Sequence, residues 1–373
     1  MQIKNLKLRD FRNYKSLNID FAKAFNIIYG NNAQGKTNII EAVFLCASGR
    51  SHRTSKDIEL LRYESAGFDI KLLLEKEEFR EEIEIAYTPE EKKKIKINEI
   101  PVKKIGDLMG HLNAVIFSPE DLLVIKQGPA ERRRFADITL SQLKPSYFYD
   151  LQQYAKILYQ RNMLLKNIVI KRELETTLDI WDRHLARTGS RIMSSRSSFI
   201  KKLDKLAAAR HAKLTNNEEL LTLKYSPSFE IDENSNVQEI EEIFDRAFKK
   251  SRTREIQKGS SLYGPHRDDI DIVLNGESTK IYGSQGQQRT SVLSMKLAEI
   301  DLMKEETGDS PVLLLDDVLS ELDDRRKEYL LENINGLQTF ITCTDKRFFQ
   351  RSTENAALFY VENGNIANDI YLR

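Results

Sequence analysis

One eight-residue stretch near the start of the chain constrains the fold more than any other feature. It consists of Gly30, Asn31, Asn32, Ala33, Gln34, Gly35, Lys36 and Thr37, and it fits the phosphate-binding P-loop pattern. The apolar run at 25–29 predicts a strand before it, and the spacing of Ile39, Ile40, Val43 and Phe44 predicts a helix from Lys36 to about Gly49. We therefore expect residues 30–37 to bind ATP, with Lys36 reaching the outer phosphates and Thr37 holding Mg²⁺.

A second chemical feature lies far along the chain. Residues 312–315 are the most apolar short run, and Asp316 and Asp317 follow at once. This is the form of a Walker B strand, in which Asp316 would face Mg²⁺ and Asp317 would polarise the attacking water. Lys36, Asp316 and Asp317 are the predicted catalytic residues. Two acids at a strand end are otherwise often a polar turn or a helix cap.

A glycine-containing loop precedes a long helical pattern between these two motifs. It holds Ser284, Gln285, Gly286 and Gln287. A serine and glycine amides at a helix start make an anion site suited to a γ-phosphate. The alternative is an ordinary glycine-rich loop with an N-cap. The segment from Ser320 to Asp323 is, by itself, a helix-opening capping segment.

Length and patterning predict the domain organisation. A chain of 373 residues suggests two or three domains or lobes. Apolar residues alternate over 68–102, as in a strand meander, while 120–213 is helical and the polar stretch at 215–237 indicates loops. The ends are α/β and the middle is helical. We predict an ATPase lobe from 1–118 and 251–373, with an inserted, mainly helical lobe at 119–250.

Composition excludes several classes of protein. Cys46 and Cys343 are far apart and form no CxxC pair, which argues against a zinc or iron–sulfur site. The first residues do not form a signal peptide, and no run is apolar enough to span a bilayer; we expect a cytoplasmic protein. The 58 Lys and Arg nearly balance the 57 Asp and Glu, so any contact with nucleic acid must come from a local patch.

Along the chain the P-loop comes first, then the glycine-containing loop, the Walker B strand and the segment 320–323, and in this order the four motifs resemble those of the ABC-type ATPases. The interval between the nucleotide motifs is too short for the long coiled coil of the SMC branch. Short segments then narrow the resemblance to the RecF family of bacterial recombination-mediator ATPases, over nearly the whole chain. These segments are Leu8–Tyr14, Gly49–Arg53, Phe117–Leu122, Pro129–Phe135, Gln160–Asn162 and Gly264–Asp269.

The resemblance implies an α/β fold with an ABC-type P-loop ATPase core, in which a mixed sheet with helices and a β meander carries the inserted lobe. It implies a homodimer that forms on ATP binding, with Ser284, Gln285, Gly286 and Gln287 acting in trans and Ser320 and Asp323 forming the D-loop. It further implies binding to duplex DNA and to junctions with single strands, and cooperation with RecR and RecO in loading recombinase at gaps. Roles in DNA repair, replication-fork maintenance and SOS induction follow from the same resemblance. The alternatives are a non-hydrolysing DNA scaffold and a transporter-type nucleotide-binding subunit.

Two departures from the transporter branch predict slow hydrolysis. The second Walker B acid is Asp317 rather than glutamate, and Thr344 stands near the position of the transporters' switch histidine. We expect a weak, DNA-stimulated ATPase in which ATP acts as a timed clamp. Gln127 is the candidate for the glutamine loop, or else a plain surface residue. Arg53 and Arg267 are expected near the nucleotide or an interface.

A basic stripe offers a site for DNA. Residues 183–213 contain nine Lys or Arg against one acid, Asp204. Contacts from such a stripe to phosphates would be independent of sequence and sensitive to salt. The alternative is a solvated helix face. The candidates for DNA binding are Arg183, Arg187, Arg191, Lys201, Lys202 and Lys205.

Overall fold

The computed structural model describes residues 1–76, 79–232, 235–344 and 356–369. The chain divides into two compact units. The first unit comprises Met1–Asp121 and Glu299–Arg373, and the second comprises Leu122–Ala298. Within the described residues, no helix is both long and apolar enough to cross a membrane.

The strands and helices follow in chain order. The strands are β1 (Gln2–Phe11), β2 (Tyr14–Asp20), β3 (Phe25–Tyr29), β4 (Phe68–Glu75), β5 (Arg80–Thr88), β6 (Lys92–Ile97), β7 (Ile100–Pro101), β8 (Ala114–Phe117), β9 (Leu221–Ser226), β10 (Asp269–Leu274), β11 (Glu277–Ser278), β12 (Val312–Asp316), β13 (Thr339–Cys343), β14 (Ala357–Glu362) and β15 (Asn365–Asp369). The α-helices are α1 (Lys36–Ser48), α2 (Leu123–Lys126), α3 (Pro129–Leu143), α4 (Pro145–Ile168), α5 (Leu178–Leu214), α6 (Val237–Lys258), α7 (Thr279–Tyr282), α8 (Gln285–Thr307) and α9 (Asp324–Asn333). Short 3-10 helices span Asp57–Leu60, Ile105–Leu108, Pro119–Leu122, Arg172–Thr177 and Val318–Glu321.

Two sheets form the first unit. One is antiparallel, in the order β2-β1-β4-β5-β6-β7, and contains the meander predicted over 68–102. The other has the order β15-β14-β3-β13-β12-β8 and is parallel except for β15. All residues of β3, β8 and β12 are buried, as expected for parallel strands covered on both faces.

Helix α1 contacts strands of both sheets of the first unit. Its predicted apolar residues are buried, and Gly49 ends it in a left-handed conformation, with its N–H bonded to the Leu45 carbonyl at 2.8 Å. The structure thus confirms the predicted order of strand, loop and helix around residues 30–37. It also places the loop at the carboxyl ends of parallel strands, where open α/β sheets present ligand sites.

The second unit combines helices with a small antiparallel sheet. The helix pairs α4–α5 and α5–α6 pack together, and the sheet has the order β11-β10-β9. The interpretation of 215–237 as loops was wrong for Leu221–Ser226, which form β9. The sequence pattern that indicates a strand there is a short alternation of apolar and polar residues, and its apolar members, Leu221 and Leu223, are buried. The strand gains its ladder from β10, more than 40 residues later in the chain, and a local pattern cannot show that partner.

The second unit also extends further than the lobe predicted at 119–250. It begins at Leu122 and continues to Ala298, so residues 251–298 pack with the helices rather than with the ATPase core. A buried guanidinium shows the reason. Arg161 on α4 donates to Glu255 at 2.7 Å and to the hydroxyl of Ser261 at 2.8 Å, and it also pairs with Asp182 at 2.7 Å. These contacts tie the segment after residue 250 to α4 and α5.

Candidate nucleotide-binding site and signature loop

The P-loop, residues 30–37, follows a path that its glycines make possible. Gly30 has φ 147°, and a Cβ placed there would lie 2.4 Å from the carbonyl oxygen of Val361. Gly35 has φ 116°, and its Cβ would lie 3.1 Å from the hydroxyl of Tyr14. Ala33 also has a positive φ, 64°. These conformations curl the backbone between β3 and α1, and any side chain larger than hydrogen at Gly30 would meet backbone.

Neighbouring segments hold the P-loop from outside. The hydroxyl of Tyr14 donates to the Gly35 carbonyl at 3.0 Å, and Asn13 Nδ2 donates to the Ala33 carbonyl at 3.2 Å. The turn between β14 and β15 adds two bonds to Gln34: the Asn363 N–H donates to its Oε1 at 2.6 Å and the Gly364 N–H to its carbonyl at 3.2 Å. The loop is therefore held by its neighbours through carbonyls and one side-chain oxygen.

Lys36 begins α1 and is 4% exposed. Its Nζ donates to the carbonyls of Gly30 and Asn31, both at 2.9 Å. These bonds place the ammonium across the curl of the loop. A cation in this position is suited to binding phosphate oxygens, and the partial positive charge at the N-terminus of α1 adds to its effect.

Asp316 lies at the end of β12 and links three elements. Its Oδ1 accepts from the hydroxyl of Thr37 at 2.8 Å and from the hydroxyl of Thr342 at 2.7 Å. The carboxyl group is largely buried, and this desolvation raises its pKa above the ordinary value although both hydroxyls oppose the shift. The structure thus brings together Thr37 and Asp316, which lie 279 positions apart. Sequence reasoning gave no role to Thr342, which is opposite Asp316 in the parallel β12–β13 register.

Asp317 stands directly after β12 in a left-handed conformation with φ 52°. Its N–H donates to the hydroxyl of Thr342 at 2.9 Å, so Thr342 supports both acids. Ser320 donates its hydroxyl to the Asp317 carbonyl at 2.7 Å. Asp323 caps α9, accepting from the Arg326 N–H at 2.9 Å and pairing with the Arg326 guanidinium. In this structure Asp323 thus acts as the helix cap that its sequence context suggests.

A buried acid on α1 gathers charged partners beside the P-loop. Glu41 is fully buried, and its carboxylate accepts from Arg12 at 2.7 and 2.8 Å and from the Ser51 hydroxyl at 2.5 Å. Arg53 lies 3.5 Å away and also donates to Asn38 at 3.2 Å. Burial disfavours the charged form of Glu41, but the hydrogen bonds from Arg12 and Ser51 and the guanidinium charges outweigh it and hold its pKa below the usual range.

Sequence reasoning named Arg53 but missed Glu41. A single acid within the apolar run of α1, between Ile40 and Ala42, was the available signal. A buried carboxylate requires partners, and it finds them on the β1–β2 turn and in the segment after α1. Arg53 is thereby held close to α1, and its charge also favours the ionised form of Asp316.

The glycine-containing loop at residues 284–287, which we call the signature loop, belongs to the second unit. Ser284 and Gln287 form a reciprocal cap at the start of α8. The Ser284 hydroxyl oxygen accepts from the Gln287 N–H at 3.2 Å, and Gln287 Oε1 accepts from the Ser284 N–H at 2.9 Å. Gln285 and Gly286 lie in the first turn of the helix. The N-cap expected as the alternative interpretation is thus present, in the capping-box form.

Gln127 and Arg267 also lie in the second unit. Gln127 ends α2, and its carbonyl accepts from Arg132 and from Lys280, both at 3.1 Å. Arg267 donates to the Ser261 carbonyl at 3.2 Å. These bonds give both segments local packing contacts within that unit.

The basic stripe lies along α5, which is 37 residues long. Five of its candidates are exposed: Arg183, Arg187, Lys201, Lys202 and Lys205. Arg191 differs, since its guanidinium pairs with Asp150 at 2.5 Å and is partly covered. Arg196, a further cation of this segment, is buried and bonded to Asp137 and to the Pro265 carbonyl. Some cations of the stripe therefore lie at the surface, whereas Arg191 and Arg196 form ion pairs and hydrogen bonds within the second unit.

Comparison with known proteins identifies the family. A family model described as the RecF/RecN/SMC N terminal domain matches residues 2–367. The chain is 58% identical over 373 residues to the DNA replication and repair protein RecF of Acetivibrio thermocellus, covering all of this chain and 98% of that protein.

Solved structures agree with that result. The structure of a recombination mediator protein RecF with ATP, in the RecFOR pathway, has a TM-score of 0.92 at 39% identity, covering 99% of this chain and 97% of that one. An SMC head domain from Pyrococcus furiosus, bound to the C-terminal domain of ScpA, shares the fold at a TM-score of 0.55 and 15% identity, covering 99% and 96%. The α/β, ABC-type ATPase fold expected from the motifs is thus confirmed. The chain belongs to the RecF family of DNA replication and repair proteins.

Proposed function

We propose that this chain is a slow ATPase that uses ATP to assemble a homodimer on DNA. The observation that carries the proposal is the hydrogen-bonded group of Thr37, Asp316 and Thr342 at the start of the helix that Lys36 begins. It combines a cation in a curled glycine loop with a carboxylate and a hydroxyl at the loop's exit. The ATP-bound RecF relative supports the same nucleotide for this chain.

We propose that the nucleotide binds together with Mg²⁺, and the residues present fit that ion. Mg²⁺ prefers oxygen ligands and takes one or two from protein while phosphates and water supply the rest. The Thr37 hydroxyl and Asp316 carboxylate, 2.8 Å apart, are such a pair. When bound, the ion would neutralise charge on the phosphates. Lys36 would then bind the outer phosphates, and Asp317 would orient the attacking water.

Ser284, Gln285, Gly286 and Gln287 would complete the site of a second copy. The support is chemical: Ser284 caps the 23-residue helix α8 and its hydroxyl oxygen is used as an acceptor, so the hydroxyl proton is free to be donated to a phosphate. The N-terminus of α8 adds a partial positive charge. Ser320 and Asp323, which follow the Walker B strand, would form the D-loop at the same interface.

We test these roles by sedimentation velocity with ATP and Mg²⁺ on a labelled gapped duplex. The wild type is expected to form a DNA-bound dimer only with ATP. Lys36→Ala should abolish nucleotide binding, whereas Ser284→Arg should keep ATP binding and lose the dimer. Ser16→Arg, an exposed serine of β2, is the matched control and should dimerise normally. A Ser284→Arg protein that dimerises like the wild type would contradict the trans arrangement.

The DNA surface that we propose is the exposed part of the stripe on α5. Arg183 and Lys201 are 18 residues apart, as are Arg187 and Lys205. Eighteen residues make five turns, or about 27 Å, so the two members of each pair lie on one helix face, and the four cations together span about 33 Å along the axis. Lys202 lies beside this face, and Arg191 is left out because its side chain is partly covered. Contacts to phosphates would serve gaps of any sequence.

Salt dependence tests this surface. Replacing Arg183, Arg187, Lys201 and Lys205 by alanine should weaken duplex binding and reduce the slope of log affinity against log salt by about 0.9 for each phosphate that the variant no longer neutralises. A control replaces four exposed lysines of the first unit, Lys92, Lys94, Lys96 and Lys103. If the control lowers the slope and the α5 variant does not, the DNA lies elsewhere.

Recombinase loading at gaps, together with RecR and RecO, is the biological output that we propose. It extends the RecFOR pathway named for the solved relative to this chain. Roles at replication forks and in SOS induction belong to the same proposal. DNA-stimulated release of phosphate separates this ATPase from a non-hydrolysing scaffold, because a scaffold would bind ATP and DNA without turnover.

A further inference from the structure

The signature loop is connected to the end of α5 by a chain of hydrogen bonds. Gln287 Nε2 donates to Glu219 Oε1 at 2.8 Å. The other oxygen of Glu219 lies 3.1 Å from Nε2 of His211, and Nδ1 of that imidazole lies 3.1 Å from the hydroxyl of Ser294 on α8. All of these residues belong to the second unit. The chain of bonds therefore runs from the first turn of α8 through Glu219 to the last turn of α5, where His211 lies against Ser294, whose hydroxyl donates to the Thr290 carbonyl at 2.8 Å.

Glu219 decides which way the Gln287 amide faces. A carboxylate only accepts hydrogen bonds, so Glu219 must receive the amide's NH2 group. The amide oxygen then faces the Ser284 N–H, which donates to it at 2.9 Å. The Ser284 N–H is used in this way, and the Ser284 hydroxyl oxygen accepts from the Gln287 N–H. Of the polar hydrogens of Ser284, the hydroxyl proton is therefore the one that can be donated to a phosphate.

His211 in turn holds Glu219. The imidazole is fully buried, and burial lowers its pKa below the ordinary value, which favours the neutral ring. Because Glu219 can only accept, the proton of the neutral ring is on Nε2. Glu219 is one-fifth exposed, so its orientation depends on these two partners rather than on burial alone.

We propose that Glu219 and His211 are positioning residues for the signature loop, and that they hold the Ser284 hydroxyl and the Gln287 amide in the arrangement that a nucleotide on a second copy of this chain requires. The proposal rests on the proposed function, in which the signature loop acts in trans. It also assigns a structural route from α5, which carries the exposed cations, to the loop that would complete the partner's site.

The test compares Glu219→Ala with Glu218→Ala, which removes a neighbouring exposed carboxylate. Hydrogen exchange of the segment 283–290 is measured without nucleotide, and the dimer dissociation constant is measured by sedimentation with ATP and Mg²⁺. Loss of one charge-assisted bond should accelerate exchange and weaken the dimer about tenfold. Glu218→Ala should change both by less than about twofold.

Three further measurements separate positioning from a general structural effect. Glu219→Gln keeps an acceptor oxygen for Gln287 and should restore most of the dimer affinity, to within about threefold of the wild type. Binding of ATP to the monomer's own P-loop should be unchanged in all Glu219 variants. His211→Asn should weaken the dimer less than Glu219→Ala, because it leaves the bond from Gln287 to Glu219 in place.

The outcomes also distinguish this inference from the proposed function. If Ser284→Arg abolishes the dimer while Glu219→Ala matches Glu218→Ala in exchange and in affinity, the positioning role is refuted and the trans arrangement stands. If Ser284→Arg dimerises normally, the proposed function itself fails. Weakening by Glu219→Ala that comes with lost ATP binding in the monomer would also refute the positioning role, because the effect would then extend beyond the signature loop.

Discussion

Replacing Thr342 by valine tests whether its hydroxyl organises the end of the Walker B strand. Thr342 is fully buried, donates to Asp316 at 2.7 Å and accepts from the Asp317 N–H at 2.9 Å. Valine keeps the shape and removes both bonds. A hydrogen bond to a charged group contributes about 1.5–3 kcal/mol, and the orphaned N–H adds a further cost. We expect Thr342→Val to lower the free energy of unfolding by about 2–4 kcal/mol.

The effect should depend on pH in a defined direction. Burial already raises the pKa of Asp316, so its ionised form penalises the folded state above that pKa and the penalty is relieved as pH falls through it. Without the Thr342 hydroxyl the folded pKa rises further. The loss caused by Thr342→Val should therefore be largest at neutral pH and smaller in acid.

The assay is urea unfolding followed by circular dichroism at several pH values. Thr342→Ser is the matched control, since it keeps the hydroxyl and removes only a methyl group, at about 1 kcal/mol. Its effect should not vary with pH. If valine costs no more than serine, or if its cost is the same at neutral and acid pH, the Thr342 hydroxyl does not support Asp316 as described.

Two other predictions concern the P-loop and α1. Glu41→Gln should destabilise the chain by about 2–3 kcal/mol at neutral pH, because it leaves Arg12 without its ionised partner. The pKa of Glu41 is depressed, so the stability that its ionised form contributes is present above the pKa of the unfolded state and is lost as pH falls through the pKa of the folded state. The free energies of unfolding of the wild type and of Glu41→Gln should therefore converge in acid, which urea unfolding at neutral and acid pH measures. Gly30→Ala should destabilise by at least about 2 kcal/mol, since its Cβ would lie 2.4 Å from the Val361 carbonyl oxygen, whereas Gly276→Ala, with a positive φ but open space around it, should cost less in the same thermal unfolding assay.

Local sequence alone determined the elements that carry the site. The strand at 25–29, the glycine loop, the helix from Lys36 and the apolar strand ending at Asp316 are each encoded within about 15 neighbouring residues. Periodicity and turn chemistry act over that distance, so these elements can be inferred without knowledge of the rest of the chain. The meander over 68–102 belongs to the same class.

The partners of the buried polar groups were decided only by the tertiary structure. Thr342 meets Asp316 because β12 and β13 pair in one register, and Glu41 meets Arg12 because α1 packs beside the β1–β2 turn. The partial covering of Arg191 on α5 has the same origin, since its guanidinium pairs with Asp150 on α4.

The errors in interpreting the sequence have a common physical reason. Strand β9 was missed because its partner, β10, lies far along the chain, and the second unit exceeds the predicted lobe because Arg161 draws Glu255 and Ser261 to the helices. A buried charge or an open strand edge must be satisfied by some partner. The sequence shows that the requirement exists, whereas only the packed chain decides which residue fulfils it.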